Sequence, residues 1–259
     1  MAITNILATS AEIRVHLSDE ALIACELKRV WGKSTVARKA RFEFEAGERA
    51  GAMDALARWI ATAPARRSIV WIVGPAEAQY FVLPWSPAYA DRILRDAYAR
   101  ERFEQLYAKD ASLSKFCFTE QSAGKDQMVS CISNELHAEL VAHAELAGCE
   151  IAGIKPSISM VLDRFRDVLE TEQGTLCVVD GDRQALVRHN RRRVEHIVVK
   201  PRNEMSTQLA ARHGVTRFFS NAPAPEPTAN AAAKLNLLTR RGYVAAQDAA
   251  YSFALCGPL

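Results

Sequence analysis

The hydrophobic positions of this chain fall first into short β-like runs and only later into helical spacing. Glu12 to Leu17, Leu22 to Lys28 and Thr35 to Phe44 are β-compatible, and Ser18-Asp19-Glu20 makes a tight turn between the first two. A helix is predicted over Ala50 to Ile60, where Met53, Leu56, Ala57 and Ile60 recur on one face. Ser68 to Val73 is almost continuously apolar, as suits a central strand covered on both sides. Gln79 to Leu83 is a further strand, closed by Pro84-Trp85-Ser86-Pro87. Ser86 is placed to cap a helix and Pro87 to open it. That helix is predicted to run to Tyr107 with Tyr89, Ile93, Ala97, Phe103 and Tyr107 on one side. Arg100 falls within the stripe, so part of it is expected to face water.

Phe116 to Glu120 and Met128 to Ile132 read as a hairpin around Ala123-Gly124-Lys125. A helix over Ser133 to Ala147 carries Leu136, Leu140, Val141 and Ala144, and Gly148 stops it. Glu150 to Lys155 is a short strand, and Ser157 to Glu170 is a helix burying Ile158, Val161, Leu162, Phe165 and Leu169. The opening pattern then returns. Thr175 to Val179, Gln184 to His189 and Val194 to Lys200 are three short strands, Asn203 to His213 is a helix, and Val215 to Ser220 is a strand. Three hairpin-linked strands, a helix and a strand thus occur twice, about 163 residues apart, with little identity between the copies. A proline-rich loop, Asn221 to Pro227, precedes a tail apolar enough to dock on the body.

Composition narrows the class rather than the function. The 259 residues are 49% hydrophobic and 24% charged, which excludes a disordered chain. Lys and Arg number 33 against 30 Asp and Glu, a balance that does not suggest a dedicated nucleic-acid binder. No apolar run reaches membrane-spanning length and no signal peptide is apparent, so a cytoplasmic location is expected. The six cysteines form no C-x-x-C pair and read as reduced, mostly buried thiols. His137 and His143 lie six apart, not at metal-pair spacing, and no metal site is expected. Gly32-Lys33-Ser34-Thr35 ends like a phosphate loop, but it lacks the upstream glycine and opens no helix. Trp71 is expected in the core. Trp85, beside prolines, either packs inward or anchors a partner peptide. Arg191-Arg192-Arg193 with Arg188 and His189 is the sharpest basic patch, either a solvated hairpin turn or a contact for acidic headgroups, nucleic acid or an acidic partner.

Four stretches carry a more specific resemblance: Ile13 to Leu27, Phe81 to Trp85 with the charged helix after it, Cys131 to Phe165, and Val178-Val179-Asp180-Gly181-Asp182-Arg183. In this order the chain resembles the actin-like proteins of bacterial type IV pilus assembly (the PilM type). It is also similar to the cytoplasmic domain of the type II secretion platform protein (the GspL or EpsL type). The resemblance implies an α/β, actin-like (ASKHA) fold of two ribonuclease-H-like halves with mixed sheets flanked by helices. Residues 1–170 would form the first half with an inserted subdomain, and 171–259 a shortened second half with its tail. In that superfamily the first hairpin of each half contacts phosphates, and this chain departs at both. His16 and Ser18 stand where the family has Asp and Gly. Asp180 matches in the second hairpin, but Gly181 follows directly and Asp182 takes the glycine's place. With Asp19 and Glu20 beside them these residues would make a degenerate nucleotide cleft crowded with negative charge, so weak or absent ATP binding and no useful hydrolysis are expected. The resemblance implies a non-enzymatic scaffold on the cytoplasmic face of the inner membrane. It would hold the cytoplasmic tail of a membrane partner in a groove of the first half, looked for near Trp85, Tyr89 and Ile93, with self-association open. The rival expectation is an ATP-driven switch, with Asp180 holding Mg²⁺ and the Ser18-Asp19 turn contacting phosphate.

Overall fold

The structure is a computed structural model that describes residues 11–30, 33–45, 47–62, 67–119, 124–191, 193–202, 214–221 and 232–257. The helix expected over 203–213, most of the proline-rich stretch, Gly32 and Arg192 lie outside those residues.

The doubled pattern becomes two five-stranded sheets of one topology. β1 (Ala11–Leu17), β2 (Ala21–Val30), β3 (Lys33–Glu43), β4 (Arg67–Val73) and β8 (Glu150–Pro156) form the first, in the order β3-β2-β1-β4-β8. β9 (Gln173–Asp180), β10 (Arg183–Asn190), β11 (Arg193–Pro201), β12 (Val215–Ser220) and the two-residue β13 (Ala233–Lys234) form the second, in the order β11-β10-β9-β12-β13. In each sheet the first three strands run antiparallel, and the fourth joins the first in parallel. β4 carries Ile69, Trp71, Ile72 and Val73 fully buried, because both faces of the first sheet are covered.

α1 (Ala50–Ala61) buries Met53, Leu56 and Ile60. α3 (Asn134–Leu146) starts where Ser133 accepts the N–H of Leu136, and it buries Leu136, Leu140, His143 and Ala144. His143 is held in this layer by the Met53 carbonyl at 2.9 Å and stands edge-on to Trp71. The helix expected over Ser157 to Glu170 is divided into α4 (Ser157–Arg164) and α5 (Arg166–Leu169). Phe165 leaves helical geometry between them and sets its ring on Phe219, 5.5 Å between centroids.

A third sheet, β5 (Gln79–Leu83), β7 (Gln127–Ser133) and β6 (Ser114–Phe118) in the order β5-β7-β6, is inserted within the first half. The helix expected from Pro87 to Tyr107 is interrupted. A 3-10 turn covers Pro87–Ala90, and Asp91 then caps a separate α2 (Arg92–Tyr107) by accepting the N–H groups of Ile93 and Leu94. That restart resets the helical phase. The packed side is Ala99, Phe103 and half of Tyr107, while Ile93 is 78% exposed and Ala97 faces water. Arg100, expected in the stripe, donates to the Ala111 carbonyl and covers the Phe116 ring.

The tail does not stay with the second sheet. Leu235 hydrogen-bonds to Phe218 beside β12, and the chain then crosses to the outer strand of the first sheet. There Val36 donates to the Arg241 carbonyl at 3.0 Å, and Gly242, at φ +82°, lies so close to Val36 O that any Cβ would collide. Lys39 pairs with Asp248 at 2.6 Å. The last helix, α6 (Ser252–Leu255), packs on β1 and β2 with Phe253 and Leu255 fully buried. The described residues from 171 onward thus divide their packing between the two sheets. One hydrophobic core runs through both, from Ile13 and Trp71 to Val178 and Phe253.

Candidate functional site

The two halves meet where the β1–β2 and β9–β10 turns touch. Ser18 shapes the first turn from within. Its Oγ accepts the N–H groups of Glu20 and Ala21 and donates to the Ala21 carbonyl. Glu20 is carried outward to Arg41 at 3.1 Å, so it does not join the other acids. Asp19 points across the junction, where its Oδ2 accepts the backbone N–H of Asp182 at 2.8 Å. Gly181, at φ +58°, turns the second hairpin directly under Asp19, and a Cβ there would collide with the carboxylate.

Beneath these tips lies a buried pair. His16 Nε2 stands 2.8 Å from Asp180 Oδ2, with side chains 0% and 1% exposed. The resemblance matches the two residues to each other, and each lies within one residue of the end of its half's first strand. Gly74 makes room for them. Its N–H reaches the Leu17 carbonyl at 2.9 Å, and a Cβ at this position would sit 2.9 Å from Asp180 Oδ2. The His16 ring stacks on Phe253 at 4.8 Å, and Phe253 meets Phe219 edge-on at 5.1 Å. Burial, then the neighbouring Asp19 carboxylate, hold the Asp182 carboxyl above its ordinary range, although Arg183 opposes this.

The structure therefore brings His16, Ser18, Asp19, Asp180, Gly181 and Asp182 together, as the sequence reading grouped them. Its reading of His16 as a mere departure missed the partnership with Asp180. The signal was available: a histidine and an aspartate at the same place of two repeats are complementary.

A second feature lies on the first half. A groove of about 370 Å³ separates β6 from β8. Phe116, Cys131, Ile132, Val141, Ile151 and Ile154 give it apolar walls, and Lys115, His137 and Lys155 are its basic lining. Trp85, Tyr89 and Ile93 do not line it. Trp85 is 43% exposed, so of its two readings it does not pack inward, and Tyr89 leans on Tyr98 at 5.6 Å. The Trp85 N–H donates to Asp126, whose other oxygen accepts from Arg193 at 2.7 Å. Burial pushes the Asp126 carboxyl up, but that N–H and the guanidinium prevail and hold it below its usual range. This bridge ties the inserted sheet to the β10–β11 turn. Of the basic patch, Arg188 pairs with Glu195 at 3.3 Å and Arg193 with Asp126, while Arg191, at φ +54°, forms the turn.

Among the described residues no cluster of His, Cys, Asp or Glu suits a metal ion, and no helix is long and apolar enough to cross a membrane. All six cysteines are free; Cys117 is exposed and the other five are buried. No protein-family model and no curated protein matches the chain. Solved structures do. The chain is similar to the cytoplasmic domain of EpsL, an inner membrane component of the type II secretion system of Vibrio cholerae, at 12% identity, 96% coverage of both chains and a TM-score of 0.60. It is similar to a chain of the PilM–PilN type IV pilus biogenesis complex at 14% identity, covering 78% of this chain and 65% of that one, with a TM-score of 0.55. A Bacteroides thetaiotaomicron protein with an actin-like ATPase fold matches at 8% identity, 87% of both chains and a TM-score of 0.55. At such identities the likeness is one of architecture, and with the doubled sheets and touching hairpins it means that this chain has the actin-like fold.

Proposed function

We propose that this protein is a non-catalytic scaffold of a type II secretion or type IV pilus platform. It would stand at the cytoplasmic face of the inner membrane and hold the cytoplasmic segment of a membrane-anchored partner. The observation that carries this reading is the contact between the two hairpin tips. A phosphate group between them would need the Asp182 N–H, which Asp19 already occupies. It would also face the carboxylates of Asp19, Asp180 and Asp182. One such charge 4 Å away opposes an anion by about 4 kcal/mol at an effective dielectric near 20. Asp180, the acid best placed to organise Mg²⁺, is engaged by His16 instead. These residues do not fit a nucleotide or its metal, and we assign them no chemistry on ATP.

The fold shared with the EpsL cytoplasmic domain and with the PilM–PilN complex supports an assembly role. We place the partner in the groove between β6 and β8 rather than at Trp85, Tyr89 and Ile93, because the groove is concave and apolar and those residues form no shared cavity.

Calorimetric titration of the purified chain with MgATP tests the reading, with Asp180→Ala as control. We expect no heat and no thermal shift at ligand concentrations on the order of 1 mM. Micromolar binding lost in Asp180→Ala would overturn it and make the chain a nucleotide-dependent switch.

A further inference from the structure

Three arginines from three parts of the chain converge where α6 ends. Arg14 lies two residues before His16 on β1, and so on the same face of the first sheet, beneath α6. Its Nη1 lies so close to Gly257 that a Cβ there would collide with it, and the Met160 methyl crowds the same glycine. Arg164 follows Met160 by four residues in α4, so the two share a helix face, and α4 packs on α6. Arg240 comes from the tail, with Nη2 donating to the Leu255 carbonyl at 3.3 Å. Its Nε and Nη1 are buried and have no hydrogen-bond partner among the described residues. Burial, then the charges of Arg164 and Arg14, hold Arg240 below its ordinary pKa. The same three arginines oppose the rise that burial imposes on the Cys256 thiol.

The positive charge here is not balanced. Arg14 meets Glu12 at 2.5 Å, Lys39 is answered by Asp248, and Asp163, beside Arg164, turns to Arg166. Among the described residues no carboxylate pairs with Arg164 or Arg240. Arginines at a helix end often only cap its carbonyls, but here a single bond serves that purpose in a helix of four residues. Three guanidiniums against the carboxylate of Glu12 leave two positive charges, and the buried donors of Arg240 lack an acceptor. A dianionic oxyanion supplies both the charge and the acceptors.

We propose that Arg14, Arg164 and Arg240 form an anion site that takes a dianionic phosphate group, free or esterified. Arg164 and Arg240 are only partly buried, so the site opens to solvent on their side. Unlike the hairpin tips, where Asp19, Asp180 and Asp182 repel an anion, it presents forked donors. A phosphate held there ties β1, α4 and the tail together and makes the docking of α6 depend on ligand.

The test titrates the full chain with inorganic phosphate in a calorimeter, without magnesium, and repeats it with acetate at matched ionic strength. Phosphate should release or absorb heat and raise Tm, acetate should do neither, and added chloride should weaken the binding. Arg164→Gln should weaken it by about tenfold or more. In phosphate-free buffer the same variant should melt no lower than the wild type, because it removes a like charge and no hydrogen bond. Arg240→Lys keeps the charge, loses the fork and should also bind more weakly. Flotation with phosphatidylcholine vesicles carrying phosphatidic acid separates the sources. Capture that free phosphate competes away and Arg164→Gln abolishes assigns the site to a lipid headgroup; phosphate binding without capture assigns it to a soluble phosphate. No phosphate binding, equal binding of acetate, or binding undiminished in both variants would overturn the proposal. A clearly lowered Tm of Arg164→Gln in phosphate-free buffer would also overturn it, since the arginine would then serve the fold alone.

Discussion

Replacing Asp180 by Ala tests what joins the two halves. The substitution leaves His16 fully buried, with its only hydrogen-bond partner among the described residues gone. Stranding one member of a buried pair costs about 1–3 kcal/mol for a neutral group and about 3–5 kcal/mol for a charged one. We expect about 3 kcal/mol, which lowers Tm by about 6–12 °C in a chain of this size. His16→Ala should cost somewhat more, about 4 kcal/mol, because it strands the Asp180 carboxylate and also opens space under Phe253. The double variant removes both polar groups together. It should be more stable than the sum of the singles implies by about 2 kcal/mol. Urea unfolding followed by tryptophan emission and far-UV circular dichroism reads all four proteins. The transition should stay single, since one core runs through both sheets. Strict additivity, or single losses under about 1 kcal/mol, would refute the claim that this pair fastens the halves.

Three further outcomes follow from the same geometry. Gly181→Ala should cost about 2 kcal/mol or more, through positive φ and collision with Asp19, whereas Gly47→Ala, at φ +88° with open space around it, should cost only about 1 kcal/mol; thermal melts compare them. Asp182→Asn should raise stability at pH 7 by about 0.5 kcal/mol after solvent screening. The Asp182 carboxyl binds its proton more tightly folded than unfolded, so the wild type should recover that deficit as pH falls through the folded pKa toward the unfolded one; melts from pH 7 to 4 show whether the two curves converge. Phe253→Ala should cost about 3–5 kcal/mol, and it should speed amide exchange in α6 before the strands of the second sheet, as mass spectrometry can resolve.

The strands were the most legible part of the sequence, because short apolar runs bounded by turn residues leave little choice of element. Gln79–Leu83 and the paired β1–β2 and β9–β10 hairpins stand within a residue or three of their expected bounds. The helices were less so, where one polar residue outweighed a long periodic stripe. Asp91 restarts α2 and turns Ile93 to solvent, and Phe165 interrupts the helix after β8 to reach a ring more than fifty residues away. At the site, the residues that converge were legible through the repeat, since matching turns of two halves must face each other. Their bonding was not, because pairing His16 with Asp180 depends on the depth of burial at the junction. The groove escaped the sequence altogether. It is formed by β6 and β8, edge strands of different sheets, and no local spacing announces such a meeting.

The position of α6 also fixes an order of events during synthesis. The first sheet has all its strands once residue 156 has left the ribosome, yet β1 and β2 wait for Phe253 and Leu255 to cover their exposed face. At about 5–20 residues per second, the intervening stretch takes about 5–20 s to emerge. Over that interval the nascent first half presents an apolar sheet face that Phe253 and Leu255 later help to conceal. The closing contact joins segments more than two hundred residues apart, so its formation is a slow, long-range step. A chain built this way needs a chaperone during its own translation more than after it, and shortening the tail by twenty residues would make that need permanent.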